Sequence, residues 1–472
     1  MPLPKDDPID PFEGLTPHWQ RAFHWLEDRL GGRIVRLERQ PRWRPAWAID
    51  LKRGDETLTL YWRGERGVAE GINEIYDLER EGRILRVLAE HGIPVPRIHA
   101  TCEDPNALVL ERCPGRANLA DAEGESERVQ VMDHYVDLLA GIHSIEPQAF
   151  EAVGLAPPPS GQTALGDFDL WEGIYRKAKR RPEPMIEFLI RWVRRHAPHR
   201  DRTRFVLSDS GQFLFEQGRV TAILDVEFGY LGDPLADLAG LRAREIFEPL
   251  GDLSRAIRRY DALTGHELDG PLLAWHTARF ALYTPLSTAH VIAEPQAGID
   301  WAQYRSFFLG QARLALQGVA EAMQVRLDPF DGPKQMPRRA RDPHGSLVEQ
   351  LLDQRETAPG PVEHYEAERA LRIAEYLQRV DRLGPEIDAA QRADRRALLP
   401  GAPAREEEAE SALESLVLEA GPDRDEELLR YFHRQVLREH ELFRPAMREM
   451  EDKTAQPIEL TPRDEPTPSA AD

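Results

Sequence analysis

Residues 205–240, FVLSDSGQFLFEQGRVTAILDVEFGYLGDPLADLAG, place aspartates at the ends of two short apolar runs. The first run ends at Asp209 and the second at Asp225, with a further apolar run and a turn between them. Short apolar runs bounded by turn residues are typical of strands buried beneath helices. We therefore expect a small sheet with both carboxylates at neighbouring strand ends. A helix capped and tied down by Asp233 and Asp237 should follow it.

Other oxygen-bearing side chains lie close to these two aspartates in the sequence. Gln212 follows Asp209, and Glu227 follows Asp225. Mg²⁺ binds to few protein carboxylates and shares its remaining positions with substrate phosphates, so this set of oxygens suits it. Aspartate is also a frequent turn and cap residue, and two carboxylates alone favour that structural role. The surrounding sequence therefore decides between the two interpretations.

Residues 15–115 have the pattern of a small lobe built from strands and helices. A helix is expected from Thr16 to Leu30, and a second, amphipathic helix within 73–92 that ends at Gly92. Five further segments predict strands: GRIVRLERQ, PAWAIDLKRG, ETLTLYWRG, IPVPRIHATCED and NALVLERCPG. This order of elements predicts an α+β lobe.

The rest of the chain is predicted to be mainly helical. A second lobe covers residues 116–328, and the Pro- and Arg-rich stretch 329–345 is expected to be a linker. Apolar residues at helical spacing predict a separate helical module over 346–450, which is a candidate surface for a protein partner. The two ends of the chain, 1–14 and 451–472, are expected to be disordered tails.

Composition argues against several classes of function. The 472 residues carry a formal net charge of −21, whereas a general nucleic-acid or anionic-membrane binder needs a basic surface. The sequence has no apolar run of bilayer-spanning length, and its acidic N-terminus has no signal-peptide core. The two cysteines, Cys102 and Cys113, cannot build a disulfide framework or a zinc site. We expect a cytoplasmic protein with neither nucleic acid nor membrane as a partner.

Four stretches taken together resemble the aminoglycoside phosphotransferase and choline kinase superfamily of small-molecule kinases. They are DSGQFLF, ILDVEFGYLGDPLADLAG, EREGRILRVLAEHGIPVP and LVLERCPGR. The resemblance covers roughly residues 14–325 and implies an α+β, bilobal protein-kinase-like fold. In that fold, residues 15–115 form the nucleotide-binding lobe and residues 116–328 form the catalytic lobe. The resemblance also implies ATP and Mg²⁺ as cofactors and a small hydroxylated molecule as the substrate.

The matching motif positions imply roles for individual residues. Asp209 matches the catalytic aspartate, which accepts or orients the proton of the substrate hydroxyl, and Asp225 matches the aspartate that binds Mg²⁺. Glu81 matches the helix glutamate that pairs with a basic strand residue. Glu111 lies at the hinge, where backbone groups hold adenine in this superfamily.

The sequence departs from the family pattern within the site. Leu207 and Ser208 stand where the family has histidine and glycine, and the catalytic loop is two residues shorter. Gln212 then takes the place of the metal-binding asparagine, with the same amide oxygen on a longer side chain. The strand lysine is also missing. Arg63 is the expected substitute, because a guanidinium can pair with both phosphate and Glu81.

The loop expected to cover the nucleotide, ERQPRWRPAWAID, contains no glycine. Arg39, Arg42 and Arg44 are candidates to contact the phosphates in place of backbone amides, and Arg42 and Arg44 are the preferred pair. The same pattern fits an ordinary basic and aromatic strand turn. The sequence leaves both interpretations open.

A basic stretch leads into the catalytic hairpin and bears on the substrate. Residues 176–204 contain eleven Lys or Arg against three acidic residues. An anionic hydroxylated substrate, such as a hydroxy acid or its coenzyme A thioester, fits this charge, and so does a solvated helical face. The missing glycines and lysine also fit a different function, namely an inactive pseudokinase that binds nucleotide or a metabolite, or acts as a scaffold.

Overall fold

The computed structural model of the protein describes residues 11–40, 44–65, 76–265, 268–296, 298–330, 332–333 and 341–460. Within this part of the chain, a strand-rich N-terminal lobe is followed by a mostly helical catalytic lobe and then by further helices. The α+β, bilobal architecture expected from the sequence is therefore confirmed.

The N-terminal lobe is a five-stranded antiparallel sheet with a helix on each face. Its strands have the order β1-β2-β3-β5-β4. The elements are α1 (Pro17–Leu30), β1 (Arg33–Arg39), β2 (Ala46–Arg53), β3 (Glu56–Gly64), α2 (Leu78–Glu90), β4 (Ile98–Glu103) and β5 (Asn106–Glu111). Phe23 of α1 packs edge-on against Trp47 and Trp62, with ring centroids 5.4 Å apart in both pairs. Leu108 and Leu110 of β5 lie on the opposite face of the sheet, where they pack against the apolar side of α2.

The catalytic lobe contains eight helices and four short strands among its described residues. They are α3 (Glu125–Ser144), α4 (Pro147–Glu151), α5 (Phe168–Ala178), α6 (Pro184–Arg195), β6 (Arg204–Val206), β7 (Phe213–Glu216), β8 (Arg219–Ile223), β9 (Tyr230–Gly232), α7 (Ala236–Arg244), α8 (Leu253–Thr264), α9 (Gly270–Ala293) and α10 (Trp301–Ala322).

The short strands pair differently from the single small sheet that the sequence suggests. β7 and β8 form the predicted hairpin, but β6 pairs with β9 in a separate two-stranded sheet. The loop between β6 and β7 contains Ser208 and Gly211 in left-handed backbone conformations, with φ of 71° and 88°. These two residues turn the chain away from β6, so that Asp209 and Asp225 follow strands of different sheets.

In the described residues beyond the catalytic lobe there are four α-helices, and two of them complete its hydrophobic core. They are α11 (Pro343–Glu356), α12 (Pro361–Leu398), α13 (Glu406–Glu419) and α14 (Asp425–Phe443). Leu413 of α13 and Phe432 of α14 are fully buried in one cluster with Phe188 and Trp192 of α6. The linker predicted at 329–345 stays a prediction. The helices that follow it share a hydrophobic core with the catalytic lobe, so they do not pack as a separate module.

The C-terminal segment 451–460 lies against the catalytic lobe, although the sequence predicts disorder there. The side chain of Gln456 accepts a hydrogen bond from the N–H of Leu253 at 2.7 Å and donates one to the carbonyl of Gly251 at 2.9 Å. The N–H of Glu459 donates to the hydroxyl of Ser254 at 2.9 Å. Polar composition suggested a tail, but these specific hydrogen bonds attach the segment to the start of α8.

None of the helices in the described ranges is long and apolar enough to cross a lipid bilayer.

Candidate active site

Asp237 of α7 fixes the loop that carries Asp209 through hydrogen bonds to the backbone of that loop. Asp237 is fully buried, and its carboxylate accepts hydrogen bonds from the backbone N–H groups of Leu207 at 2.8 Å and Ser208 at 2.9 Å. The sequence predicted a helix cap at Asp237. The structure instead places it within the first turn of α7, where it holds the catalytic loop. Gly240, one turn later, is required because a Cβ there would lie 2.6 Å from the carbonyl oxygen of Ser208.

Asp209 projects from this loop and contacts two side chains that lie on either side of it. Gln212 Nε2 donates to one carboxylate oxygen at 2.7 Å, and Arg244 donates to the other at 2.6 Å. Burial acts to lower the pKa of Arg244, but the negative charge of Asp209 outweighs it and raises that pKa. Arg244 therefore stays a cation beside Asp209.

The orientation of the Gln212 amide follows from this contact. Its nitrogen must face Asp209, because two oxygens with no hydrogen between them would repel each other. The amide oxygen, Oε1, is thereby directed elsewhere and accepts no hydrogen bond from the described residues. Gln212 thus presents an oxygen ligand next to the catalytic loop, as the sequence predicts for a residue in the position of the missing asparagine.

Asp225 lies at the end of β8 and contacts Arg63 of the N-terminal lobe. Asp225 has a left-handed backbone with φ of 56° and precedes a single 3-10 turn, Val226–Phe228. Arg63 donates from Nη2 to the carboxylate of Asp225 and from Nε to Glu81 at 2.8 Å. The ion pair between a basic residue of β3 and Glu81 of α2 is therefore present, with arginine in the place of lysine.

Arg63 has one edge left for a ligand. Burial acts to lower the pKa of Arg63, but the carboxylates of Asp225 and Glu81 raise it, so the guanidinium remains charged. Its Nε and Nη2 atoms contact protein carboxylates, whereas Nη1 donates to no acceptor among the described residues. A phosphate oxygen is a suitable acceptor for that edge.

The structure describes only one of the two arginines that the sequence favours for covering the nucleotide. Arg42 lies outside the described residues. Arg44 is buried, and its Nη2 lies 2.9 Å from both carboxylate oxygens of Glu227. In this conformation Arg44 faces Glu227, whereas Arg39 is exposed and its guanidinium lies 5.8 Å from the centroid of the Trp47 ring. Arg63, whose side chain is 13% exposed, is the candidate with an edge open to a phosphate oxygen.

The hinge begins where β5 ends. The N–H of Glu111 donates to the carbonyl of Arg97 at 2.7 Å, and the N–H of Arg112 donates to Thr59 at 3.0 Å. The next N–H along the chain, that of Cys113, makes no hydrogen bond to the described residues. Cys113 therefore offers the first open donor for a purine ring, two residues after Glu111.

The basic stretch 176–204 is largely neutralised by acidic residues of the protein itself. Arg176 and Lys179 both donate to Glu187, which is fully buried. Lys179 also pairs with Glu414 of α13, and Arg195 pairs with Asp425 of α14. The stretch therefore holds the C-terminal helices in place, and the charge argument for an anionic substrate loses this support.

Arg80 and Arg244 contact the site but were not identified from the sequence. Arg80 lies in the first turn of α2 and donates to the carbonyl of Glu227 at 2.8 Å. Arg244 lies at the end of α7, 35 residues after Asp209. Arg80 stands inside the stretch EREGRIL, where the resemblance gave a role to Glu81 alone, and Arg244 was given no role by the resemblance. Each contact depends on how helices pack.

The oxygen donors near Asp225 fit a magnesium ion. A cluster of three or more His, Cys, Asp or Glu side chains able to hold a metal does not occur in the described ranges. Magnesium sites in phosphoryl-transfer enzymes need only one or two carboxylates, because phosphates and water supply the other ligands. The carboxylate of Asp225 and the amide oxygen of Gln212 are oxygen ligands of the kind that such sites use, so their role as metal ligands stays a prediction.

The central part of the chain matches a known family. Residues 73–276 match the family described as "Phosphotransferase enzyme family". The chain is 34% identical over 175 residues to acyl-CoA dehydrogenase family member 10 of Mus musculus, which covers 34% of this chain and 16% of that protein. It is 25% identical over 202 residues to acyl-CoA dehydrogenase family member 11 of Homo sapiens, which covers 40% of this chain and 25% of that protein. The chain thus spans at most a quarter of the length of these two relatives.

A solved structure shares the fold. It comes from Ralstonia eutropha and is assigned to the aminoglycoside phosphotransferases. The two chains have a TM-score of 0.50 and 19% sequence identity, and the match covers 65% of this chain and 99% of that one. At this level of identity, the likeness establishes the fold alone.

Proposed function

We propose, on the premise of the match between residues 73–276 and the phosphotransferase enzyme family, that the chain is an ATP- and Mg²⁺-dependent small-molecule kinase. It transfers the γ-phosphoryl group of ATP to the hydroxyl of a small metabolite. The observation that carries the proposal is a chain of contacts at the junction of the two lobes. Gln212 contacts Asp209 through its side chain, and its backbone carbonyl accepts a hydrogen bond at 3.0 Å from the N–H of Leu224, which precedes Asp225. Arg63 of the N-terminal lobe contacts both Asp225 and Glu81.

In this proposal Asp209 is the catalytic residue. Its carboxylate accepts a hydrogen bond from the acceptor hydroxyl, orients that oxygen towards the γ-phosphorus and takes its proton as the phosphoryl group is transferred. Gln212 and Arg244 fix both carboxylate oxygens, at 2.7 and 2.6 Å. Holding the reacting groups in line supplies much of the rate of such a reaction.

The nucleotide contacts the N-terminal lobe and the metal ligands. The purine binds along the hinge that follows Glu111, and the free edge of Arg63 binds a phosphate oxygen. Asp225 and Gln212 would hold Mg²⁺, which would neutralise phosphate charge during transfer. Arg42 stays a candidate phosphate ligand from the sequence, whereas Arg44 would have to leave Glu227 to become one.

The acceptor is proposed to be a hydroxy acid or its coenzyme A thioester. Two observations support this class. The relatives of this chain are named as members of an acyl-CoA dehydrogenase family. Arg244, whose side chain is 14% exposed, lies beside Asp209 and offers a cation to a carboxylate or carbonyl oxygen of the acceptor. A cytoplasmic location, and a protein partner that contacts the C-terminal helices, are further proposals.

The pseudokinase is the second candidate function, and one contact favours it. Asp225 is bound to Arg63, and a protein that never binds Mg²⁺ would keep that ion pair permanently. The two functions differ in their response to ATP with and without Mg²⁺, because a ligand that binds the native state raises the apparent stability.

Asp225→Asn is expected to abolish the Mg²⁺-dependent stabilisation by ATP. In the parent protein, Mg²⁺-ATP at 100 times its Kd should raise the free energy of unfolding by about 2.7 kcal/mol. Asparagine keeps the size of the side chain and tolerates the left-handed backbone at φ of 56°, but it loses the charge that holds the metal. Thermal unfolding with ATP, with and without Mg²⁺, measures the effect. Asp137→Asn, which removes an exposed carboxylate paired with Arg259, is the control. Equal stabilisation of Asp225→Asn and the parent would remove Asp225 from the site.

Gln212→Ala is expected to lower kcat by a factor on the order of 10²–10³, a loss typical of one electrostatic or positioning group. Gln212→Asn should also be impaired, because its amide is one methylene shorter and cannot reach both Asp209 and a metal. The assay measures phosphate transfer to hydroxy acids and their coenzyme A thioesters, with the two variants beside the parent. If both variants match an active parent, Gln212 has no role as a metal ligand. If the parent transfers no phosphate and binds no nucleotide, the pseudokinase is favoured.

A further inference from the structure

Glu227 connects the metal-binding loop to the N-terminal lobe. It lies two residues after Asp225, and its side chain is 3% exposed. Its carboxylate oxygens lie 2.9 Å from Arg44 Nη2, and one of them lies 3.3 Å from Arg63 Nη2. A buried carboxylate placed against two guanidinium groups is the arrangement that compensates for the loss of water around all three charges.

A third arginine holds the backbone of the same loop. Arg80 of α2 donates to the carbonyl of Glu227 at 2.8 Å and to the carbonyl of Gly229 at 2.5 Å. Its guanidinium also lies over the ring of Tyr76, 5.0 Å from the centroid. Arg44, Arg63 and Arg80 come from different parts of the N-terminal lobe and meet on residues 225–229. We call these three arginines with Glu227 the interlobe clasp.

We propose that Glu227 is a positioning residue for nucleotide binding, which fixes Arg63 and the loop of Asp225, and is not itself a ligand of Mg²⁺. The inference rests on the kinase function proposed above. It differs from the sequence analysis, in which Glu227 was one of the oxygen donors that suited a metal site.

The contacts of Arg63 explain why such a residue is needed. Arg63 is shared between Glu81, Asp225 and Glu227. If Asp225 binds a cation, its negative charge is no longer available to Arg63. Glu81 and Glu227 then remain to hold the guanidinium with its Nη1 edge directed to a phosphate oxygen. Glu227 is also unsuited to bind a metal, because its two oxygens are already in contact with guanidinium groups in a buried position.

Glu227→Gln tests the proposal, with Glu187→Gln as a matched control. Glu187 is also a buried glutamate bound by two cations, Arg176 and Lys179, but it lies away from the site. Both variants should lose stability, because each removes the charge of a buried carboxylate that contacts two cations. Only Glu227→Gln should raise the KM for ATP, by about tenfold or more, while the KM for the acceptor stays unchanged. Arg44→Lys keeps the charge with fewer donors and should show a smaller rise in the KM for ATP.

Hydrogen exchange supplies a readout that does not depend on activity. In nucleotide-free protein, peptides that cover residues 56–64 and 225–229 should exchange faster in Glu227→Gln than in the parent, and equally in Glu187→Gln and the parent. If the parent binds no nucleotide, the kinase function fails, and the exchange rates still decide whether the clasp exists.

Two results would overturn the inference. The first is a parent that binds ATP while Glu227→Gln and Glu187→Gln show the same KM for ATP and the same exchange. The second is a Glu227→Gln variant whose defect disappears at saturating Mg²⁺, since that behaviour belongs to a lost metal ligand. If Glu227→Gln does not fold, Arg44→Lys carries the same comparison with the parent.

Discussion

Asp209→Asn is expected to lower kcat by a factor on the order of 10²–10⁴, the range that removal of a general base produces. Asparagine occupies the same volume and still accepts a hydrogen bond from Arg244, but its amide cannot take the proton of the acceptor hydroxyl. The carboxylate is 31% exposed, so its replacement leaves the core unchanged. The KM for ATP should stay close to that of the parent, because Arg63 and Asp225 are intact.

The measurement is steady-state phosphate transfer with Mg²⁺-ATP and a hydroxy acid or its thioester. Thermal unfolding of the same samples checks that the variant is folded. Asp137→Asn, which removes an exposed carboxylate distant from the site, should retain the activity of the parent. A folded Asp209→Asn variant with the kcat of the parent would exclude Asp209 as the catalytic residue.

Truncation before Pro343 is expected to prevent cooperative folding of the remaining chain. The deletion removes Leu413, Leu429 and Phe432, which are fully buried in the cluster that includes Phe188 and Trp192 of α6. Exposure of each large apolar side chain costs roughly 1.5–3 kcal/mol, and the net stability of a domain is about 5–15 kcal/mol. The loss of several such contacts on both sides of the interface therefore exceeds the stability available.

Soluble yield and the cooperativity of thermal unfolding test this expectation. A milder version uses two leucines of α13. Leu413→Ala should cost about 2–5 kcal/mol of unfolding free energy, because Leu413 is fully buried. Leu418→Ala should have little effect, because Leu418 is 44% exposed. A truncated protein that unfolds cooperatively near the parent temperature would show that the C-terminal helices are dispensable for the core.

The sequence predicts elements with strong local patterns, and these are the parts of the fold that the structure confirms. Helix α1 has Pro17 at its first position and ends at Gly31, whose φ is 68°. Both signals are local and can be read without knowledge of the partners. The pairing of β6 with β9 has no such signal, because three-residue strands are too short to show alternation. Their pairing depends on the packing of the helices around them.

The charged contacts of the site show the same difference between what local sequence predicts and what depends on the packing of distant elements. The pair between Arg63 and Glu81 was expected, because its two positions are set by a strand and a helix that the motif identifies. Arg44 was expected at the phosphates, but the structure pairs it with Glu227, 183 residues later in the chain. The sequence shows which residues are charged, but it does not show which residues they pair with in the folded protein. For the same reason, the sequence left open whether the basic stretch 176–204 is a substrate approach or a solvated helical face.

The C-terminal segment 451–460 has a consequence for the order in which the protein folds. Gln456 supplies hydrogen bonds to Gly251 and Leu253, which precede it by 205 and 203 residues. The beginning of α8 therefore reaches its final set of hydrogen bonds only after residue 456 has left the ribosome. The four stretches that resemble the small-molecule kinases have all been translated well before that point. Until then the nascent polypeptide carries Asp209 and Asp225 in a lobe that still lacks its contacts with residues 456–459.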